Sequence, residues 1–553
     1  MSDLLAGAGV LLAAAASAGT ILLPAGRLRS IAMLVALVLF PALILGDQWH
    51  SHQIVDLRDD PSRLVALGAL AIAASVALAY AFRRWPMLMP LAIVAALPFR
   101  VPLHAGGDTA NLLVPLYLVI AGGVLSAAFG EWQERGGVDL GAGFFAGRRS
   151  SLDESAVRKT GRRTQIDPPT LLPYVLAGFV LLYALQALYS PDFSKGLQNV
   201  CFFFVPFSLM YGLLRDVSWD RKLLTLIVWV VAVEAVCFVV VGSVEYFSRS
   251  LFWNDQVIRS NEFHTYFRVN SVFWDPNIYG RYLALVAVVA MSALLWARER
   301  RSLALLTVLV AVLWLGLFPT FSQSSFAALL AGLAVLAALK WSLRWTLVAV
   351  GAFAVLGVLV VLLTGGRASL DRINIDTSGR ANLVSGGVHL FAQRPIYGYG
   401  SGSFPKAYRE HVETHKAPVS VSHTEPITIA AEQGILGVAA YIALVVTALW
   451  TMAQGLRSSL LRRADSPVGG VGGGGSRTDR GPPAGPPPPA TGPAGLSVGR
   501  AAILATSTAL IVHTMAYAGF FEDPITWVLL AAGASLAAAN QRSLAACRDT
   551  SAA

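Results

Sequence analysis

The sequence predicts an all-α fold: a polytopic bundle of about 12–15 transmembrane helices with one large extracytoplasmic loop domain. Three observations carry that expectation. Hydrophobic residues make up 55% of the chain and charged residues 13%, with a mean hydropathy of +0.61, which excludes an ordinary soluble domain. Apolar runs recur near the length of about 20 residues that a helix needs to cross the hydrocarbon core. Basic residues cluster in alternate short connections, as the positive-inside rule expects of cytoplasmic loops.

Taken in order, the candidate spans are Leu4–Leu23, Ile31–Gly46, Leu64–Ala81, Met87–Leu103, Asn111–Ala128, Leu171–Tyr189 and Val200–Leu214. They continue at Leu223–Val244, Ile278–Trp296, Leu303–Leu317, Ser324–Leu339, Trp345–Leu363, Ile427–Met452, Ala501–Phe520 and Ile525–Asn540. The first lacks a basic n-region, so it reads as a spanning helix and not a cleaved signal peptide. The division that follows is 1–129 (N-terminal helices), 130–169 (a flexible cytoplasmic loop of mixed charge), 170–364 (central helices) and 365–425 (the large loop). Beyond it lie 426–455 (one helix), 456–499 (a Gly- and Pro-rich cytoplasmic linker) and 500–553 (a last helical pair, an appendix to the bundle).

The net charge of +10 does not imply a nucleic-acid partner. It is concentrated at Arg27 and Arg29, Arg83 and Arg84, Arg221 and Lys222, Arg298 with Arg300 and Arg301, Lys340 and Arg344, and Arg457 with Arg462 and Arg463. Placing those connections in the cytoplasm puts 365–425 and the N-terminus outside and the C-terminus inside, as expected of a multi-pass protein of the plasma (inner) membrane. Contact with anionic membrane lipids is a secondary benefit of the same charge. The three cysteines, Cys201, Cys237 and Cys547, have no metal or redox spacing, so no essential disulfide is expected.

The 365–425 segment is where soluble chemistry can sit. It holds Arg367, Arg372, Arg380, Arg394 and Arg409, and four of the nine histidines: His389, His411, His415 and His423. Long loops are functional or disordered, and this one is rich in Tyr, Phe, Ile and Val, which predicts that it folds. Arg and His together at a membrane surface suit an anionic, phosphorylated substrate.

Four blocks carry candidate chemistry. Arg268 and Asn270 lead into Phe273-Trp274-Asp275-Pro276-Asn277, where Asp275 and Pro276 suit a helix start. Ser322-Gln323-Ser324-Ser325 forms a tight turn whose hydroxyls suit capping or close helix packing. Ser378-Gly379-Arg380 precedes Arg394-Pro395-Ile396-Tyr397-Gly398-Tyr399-Gly400-Ser401-Gly402-Ser403-Phe404. Those glycines either expose backbone N–H groups to a phosphate or simply permit tight turns. Last comes Ser422-His423-Thr424-Glu425-Pro426, followed by Glu432-Gln433-Gly434-Ile435-Leu436-Gly437; Glu432, about two turns into a span, is a functional candidate because an ionisable group there is costly. His411 and His415 share a helical spacing, but Glu413 is not in the HExxH position, so a solvated helix is the better reading than zinc.

In this order the four blocks resemble the O-antigen ligase and polymerase family of bacterial membrane glycosyltransferases. The match rests on Phe273 with Pro276-Asn277, the serine turn at Ser322–Ser325, Arg380, the Pro395–Phe404 glycine segment, and His423 ahead of Glu432, Gly434 and Gly437. It covers about residues 195–455. Two positions depart from the family pattern: Ser325 stands where the family has an arginine, and Thr424 where an asparagine often follows the histidine.

The resemblance implies glycan transfer from an undecaprenyl-pyrophosphate-linked donor to a glycan, lipid or protein acceptor hydroxyl outside the cytoplasm. It implies inversion at the anomeric carbon, no metal, no nucleotide sugar and no other cofactor. His423 and Arg380 are the expected catalytic residues, as base and as pyrophosphate ligand. Arg268, Asn277, Arg372, Arg394 and Glu432 are the expected substrate-binding residues, with Arg268, Arg372 or Arg394 covering for the arginine missing at Ser325. The rival classes are a transporter or flippase, with Glu234, Glu432 and His513 as its intramembrane ionisable groups, and a scaffold that has lost catalysis.

Overall fold

A computed structural model describes residues 3–49, 60–105, 108–133, 168–252, 254, 257–258, 261–262, 266–363, 380–412, 421–456, 460 and 494–552. Helices α1 (Asp3–Leu22) and α2 (Arg27–Asp47) form an N-terminal hairpin. Helix α3 (Pro61–Arg84) starts at Asp60, whose side chain accepts from Arg63 N–H at 3.2 Å, with Pro61 in the first turn. Helix α4 (Leu88–Ala96) is nine residues long and is followed by the antiparallel hairpin β1 (Val101–Ala105) and β2 (Asp108–Leu112), with Val101 opposite Leu112. Next come α5 (Val114–Gln133), α6 (Pro168–Ala187) and α7 (Phe193–Leu214), which carries a π-helical turn at Val200–Phe204.

The central bundle is α8 (Arg221–Ser248), α9 (Pro276–Trp296), α10 (Arg300–Leu317), α11 (Gln323–Lys340) and α12 (Leu343–Leu363). Loop helices α13 (Arg380–Gln393) and α14 (Phe404–His411) follow, then α15 (Glu425–Ala453), α16 (Ala494–Thr514) and α17 (Pro524–Ala552). Among the described residues ten helices are long and apolar enough to cross a membrane, and Val114–Gly130, Leu171–Ala187 and Leu343–Ala352 are shorter apolar helices. The chain is a polytopic helical membrane protein.

Two expectations from sequence change. The run Met87–Leu103 is not one span: α4 covers nine residues, too few to cross, because Pro98 cannot continue the helix and the chain turns into β1. The C-terminal pair is no appendix. Ala505, Ala509 and Leu510 of α16 are buried in one core with α8, α9, α10 and α11, and Trp527 of α17 is fully buried in the other with α1, α2, α7 and α15. Gly332 of α11 shows how tight this is: a Cβ there would meet Val288 at 2.5 Å and Ala505 O at 3.3 Å.

The described part of the large loop folds, as its aromatic content predicts. Phe404 and Tyr408 of α14, Leu390 of α13, Tyr399 and Ala431 make a third small core. Each large apolar side chain buried this way contributes about 1.5–3 kcal/mol. Residues 364–379 and 413–420, with Arg367, Arg372 and His415, lie outside the described residues.

Candidate functional site

Three buried carboxylates fix the loops at one end of the bundle, each by accepting backbone N–H groups. Glu245 of α8 accepts from Asn270 (3.1 Å) and Ser271 (2.6 Å), which holds the segment before α9. Glu425, the first residue of α15, accepts from Gly519 (2.7 Å) and Phe520 (3.1 Å) and holds the α16–α17 turn. Glu432 accepts from Gly402 (2.9 Å) and Phe404 (3.0 Å) and holds the glycine segment. A buried carboxylate is tolerated when its lone pairs are filled this way.

That geometry decides between the two readings of the glycines. The N–H groups of Tyr399 and Gly400 donate to Ala431 O and Glu432 O, that of Ser401 to Gln186 O, and those of Gly402 and Phe404 to Glu432. They are spent inside the protein, so the segment is not a phosphate nest. Gly398 and Gly434 are instead a close backbone contact: both have positive φ, and a Cβ on either would meet the other segment's backbone at 2.3–2.4 Å.

The segment before α9 presents Arg268. Its Nε donates to Thr320 O at 2.9 Å and its Nη2 to Asn277 Oδ1 at 3.2 Å, while Asn277 N–H caps on Asp275 at 2.6 Å. Burial lowers the Arg268 pKa, Asp275 opposes that shift, and the charge of Arg380 adds to it; an arginine stays ionised all the same. Arg268 therefore stands against the turn that leads to Ser322–Ser325. Ser325 itself is fully buried, its Oγ 2.7 Å from Ser322 Oγ, and a Cβ on Gly280 of α9 would lie 2.7 Å from it. The position is a helix–helix contact with no room for a long side chain.

His423 sits in the last turn before α15 with φ 60°, a left-handed conformation costly for a residue with a Cβ. Ser422 holds it there: its Oγ accepts from Thr424 N–H (3.2 Å), donates to Thr424 O (2.8 Å) and lies 2.8 Å from Thr428 Oγ1. The ring is half-buried. Burial lowers its pKa from the ordinary histidine value, the charge of Arg380 lowers it further, and Asp275 acts in the opposite direction. Arg380, at the start of α13, donates to Ala516 O at 3.5 Å. Arg268, Asp275, Arg380 and His423 thus share one electrostatic neighbourhood with two cations and one anion.

A further member was not legible as such: Tyr517, in the α16–α17 turn. Its ring centroid lies 6.2 Å from that of His423 and 5.8 Å from that of His513. Burial and Asp275 push its pKa up, while Arg281, Arg100 and Arg380 oppose the rise. His513 Nε2 in turn is 3.1 Å from Ser324 Oγ, and the turn is tied down by the buried pair Arg281–Asp523 at 2.9 Å. Its place in the sequence, at the end of the Ala501–Phe520 run and just before Glu522 and Asp523, gave little signal of a site role.

The remaining predicted residues lie elsewhere or do other work. Arg394 is exposed and stacks 4.4 Å above the Tyr399 ring, away from the Arg268–His423 group. Glu432 is occupied by Gly402 and Phe404, so it anchors the loop. Arg372 is outside the described residues. His389 pairs with Gln393 at 2.9 Å and His411 packs on Tyr399 at 5.0 Å. Among the described residues no cluster of three His, Cys, Asp or Glu side chains is arranged to hold a metal ion.

A helical membrane protein with an Arg- and His-bearing loop folded over one end of its bundle is the class that these observations define. Residues 308–442 match the family model described as O-antigen ligase, a segment running from α10 through the serine turn, Arg380, His423 and Glu432 into α15. That segment is similar to the O-antigen ligase family, in line with the resemblance read from the sequence motifs. Arg268, Asn277, Tyr517 and Asp523 lie outside the matched residues. No curated protein matches the chain.

Proposed function

We propose that the protein transfers a glycan from an undecaprenyl-pyrophosphate carrier to an acceptor hydroxyl on the extracytoplasmic face of the plasma (inner) membrane. The observation that carries this reading is that the charge of Arg380 bears on both His423 and Arg268, so two arginines from different segments share one neighbourhood with Asp275. A pyrophosphate supplies the missing negative charge. As the bond between sugar C1 and the phosphate oxygen breaks, its electron pair goes to that oxygen, where Arg380 and Arg268 stabilise it. The acceptor oxygen bonds to C1 from the opposite face and its proton passes to His423. The products are the inverted glycoside and the free carrier pyrophosphate. Arg268 takes the place of the arginine that Ser325 excludes, because it already lies against Thr320 beside the serine turn.

The orientation is supported by charge. Arg29, Arg221, Arg298 and Lys340 lie at the helix ends opposite His423, which the positive-inside rule assigns to the cytoplasm. The transporter reading has less support, since two of its ionisable groups are locally satisfied, Glu234 by Tyr282 (2.8 Å) and Glu432 by two N–H groups, and His513 Nε2 meets Ser324. The test is a proteoliposome assay with a labelled undecaprenyl-pyrophosphate oligosaccharide and EDTA present. Label appearing on a glycan, lipid or protein acceptor supports transfer. Label that only crosses the bilayer supports a flippase.

A further inference from the structure

At the end of the bundle away from His423 a cavity of about 640 Å³ opens between α4, α8, α9, α10, α16 and α17. That is within the range of small-molecule sites, roughly 300–1,000 Å³. Its walls are apolar side chains from Tyr282 to Trp296 along α9, facing Ile503 and Val528. That stretch of helix makes it about 20 Å long at 1.5 Å per residue, more than half of a hydrocarbon core of about 30 Å. Its inner end stops at Tyr282, whose hydroxyl is held by Glu234 at 2.8 Å. Its mouth carries Arg221 and Arg298, both exposed, the single carboxylate Glu299 beside them, and Trp296, over whose ring Lys340 Nζ sits at 5.3 Å, so positive charge predominates.

An apolar slot this deep, entered past cations and an interfacial tryptophan, has the chemistry of a lipid with an anionic head. We infer that the cavity holds an acyl chain of an anionic phospholipid from the leaflet opposite the His423 site, with its phosphate between Arg221 and Arg298. The sugar carrier is the weaker fit, because its charged head belongs with Arg268 and Arg380 at the other end and would leave this basic mouth unmatched. A lipid seated here ties α8, α9 and α10 to the C-terminal pair α16 and α17. Those are the helices that hold the Glu245, Asn277 and Tyr517 segments.

The experiment uses the full chain in detergent, titrated with phosphatidylglycerol or phosphatidylcholine and read by native mass spectrometry and thermal unfolding. Wild type is expected to bind one phosphatidylglycerol and to unfold at higher temperature with it, with phosphatidylcholine having no such effect. Arg221→Gln or Arg298→Gln should weaken binding about fivefold each, from about 1 kcal/mol per basic residue near an anionic surface. Ala502→Trp, which fills the slot, should abolish it while unfolding like wild type in phosphatidylcholine. If the tryptophan variant does not fold, the two arginine variants carry the test, since both positions are exposed. Equal binding of the two phospholipids, retention of the lipid by a folded Ala502→Trp, or tighter binding of undecaprenyl phosphate that ignores both arginines would each overturn the assignment.

Discussion

Glu432 accepts the backbone N–H of Gly402 at 2.9 Å, so a carboxylate inside the helix after the loop histidine fixes the glycine segment before it. Its second oxygen takes Phe404 N–H, and two residues on Gly434 packs backbone to backbone against Ile396 and Tyr397. The Pro-x-x-Gly-x-Gly and Glu-x-Gly patterns are therefore two halves of one joint. The joint sets where α13 and α14 rest, and α13 begins with Arg380.

Removing that carboxylate leaves two buried N–H groups unpaired, at about 1–3 kcal/mol each. Glu432→Ala is expected to lower the thermal unfolding midpoint of the purified protein and to cut transfer. Glu432→Gln keeps one acceptor oxygen and should fall between. A Glu432→Ala protein as stable as wild type would show that the loop does not depend on this joint.

Gly434→Ala tests the same joint from the backbone. A Cβ there would lie 2.4 Å from Ile396 O, at a φ of 63° that alanine resists. The substitution should destabilise by more than the roughly 1 kcal/mol that alanine gains over glycine at an ordinary helical site, as chemical denaturation would show. Gly351, inside α12 where an added Cβ would meet nothing within 4 Å, is the matched control and should be neutral to stabilising, by up to about 1 kcal/mol, when changed to alanine.

Much of this was readable in the chain and some was not. Composition and span periodicity give the helical membrane class, and the order Asn277, Ser322, Arg380, His423 gives the candidate residues from which the proposed site is built, because both are properties of local sequence. The role of Glu432 was not readable: an ionisable residue two turns into a helix signals function, and only the folded loop shows that its partners are backbone N–H groups. Tyr517 was missed for a related reason. Its turn reads as the end of an apolar run, and it reaches His423 because α16 packs against both α9 and α11. The helix expected at Met87–Leu103 failed at Pro98, where hydropathy outvoted a residue that cannot continue a helix.

The two loop arginines should separate in function. Arg268→Ala is expected to reduce kcat/KM for donor about 10–100-fold, the worth of a charge-assisted hydrogen bond of about 1.5–3 kcal/mol. Arg394→Ala should stay within about twofold, because that side chain is exposed on Tyr399. Transfer rates of the two variants in proteoliposomes check this; the opposite ranking would move the phosphate site to Arg394.

Tyr517→Phe keeps the ring between the two histidines and removes only the hydroxyl. If the ring positions His423, transfer is expected within about threefold of wild type, whereas Tyr517→Ala should lose more than tenfold. Steady-state kinetics of both variants decide it, and a phenylalanine variant as impaired as the alanine one would give the hydroxyl a direct role.

The pH dependence follows from the signs at His423. Its folded pKa lies below the unfolded value of about 6.5, first from burial and then from Arg380. The unfolded chain therefore binds the proton more readily, so the stability from neutral His423 is fully present above about pH 6.5 and is lost as pH falls through the folded value. Transfer should be limited in acid by the same proton. NMR titration of the labelled imidazole should show a midpoint below about 6.5, moving up in Arg380→Gln and down in Asp275→Asn. A midpoint above the ordinary value would contradict the assigned environment.

The division of labour between Arg380 and His423 is the central claim, and donor binding measured beside single-turnover transfer tests it most directly. His423→Ala should bind the labelled undecaprenyl-pyrophosphate glycan as wild type does and transfer none of it. Arg380→Ala should bind it at least tenfold more weakly. Transfer at the wild-type rate by a folded His423→Ala protein, or undiminished donor binding by Arg380→Ala, would contradict the account.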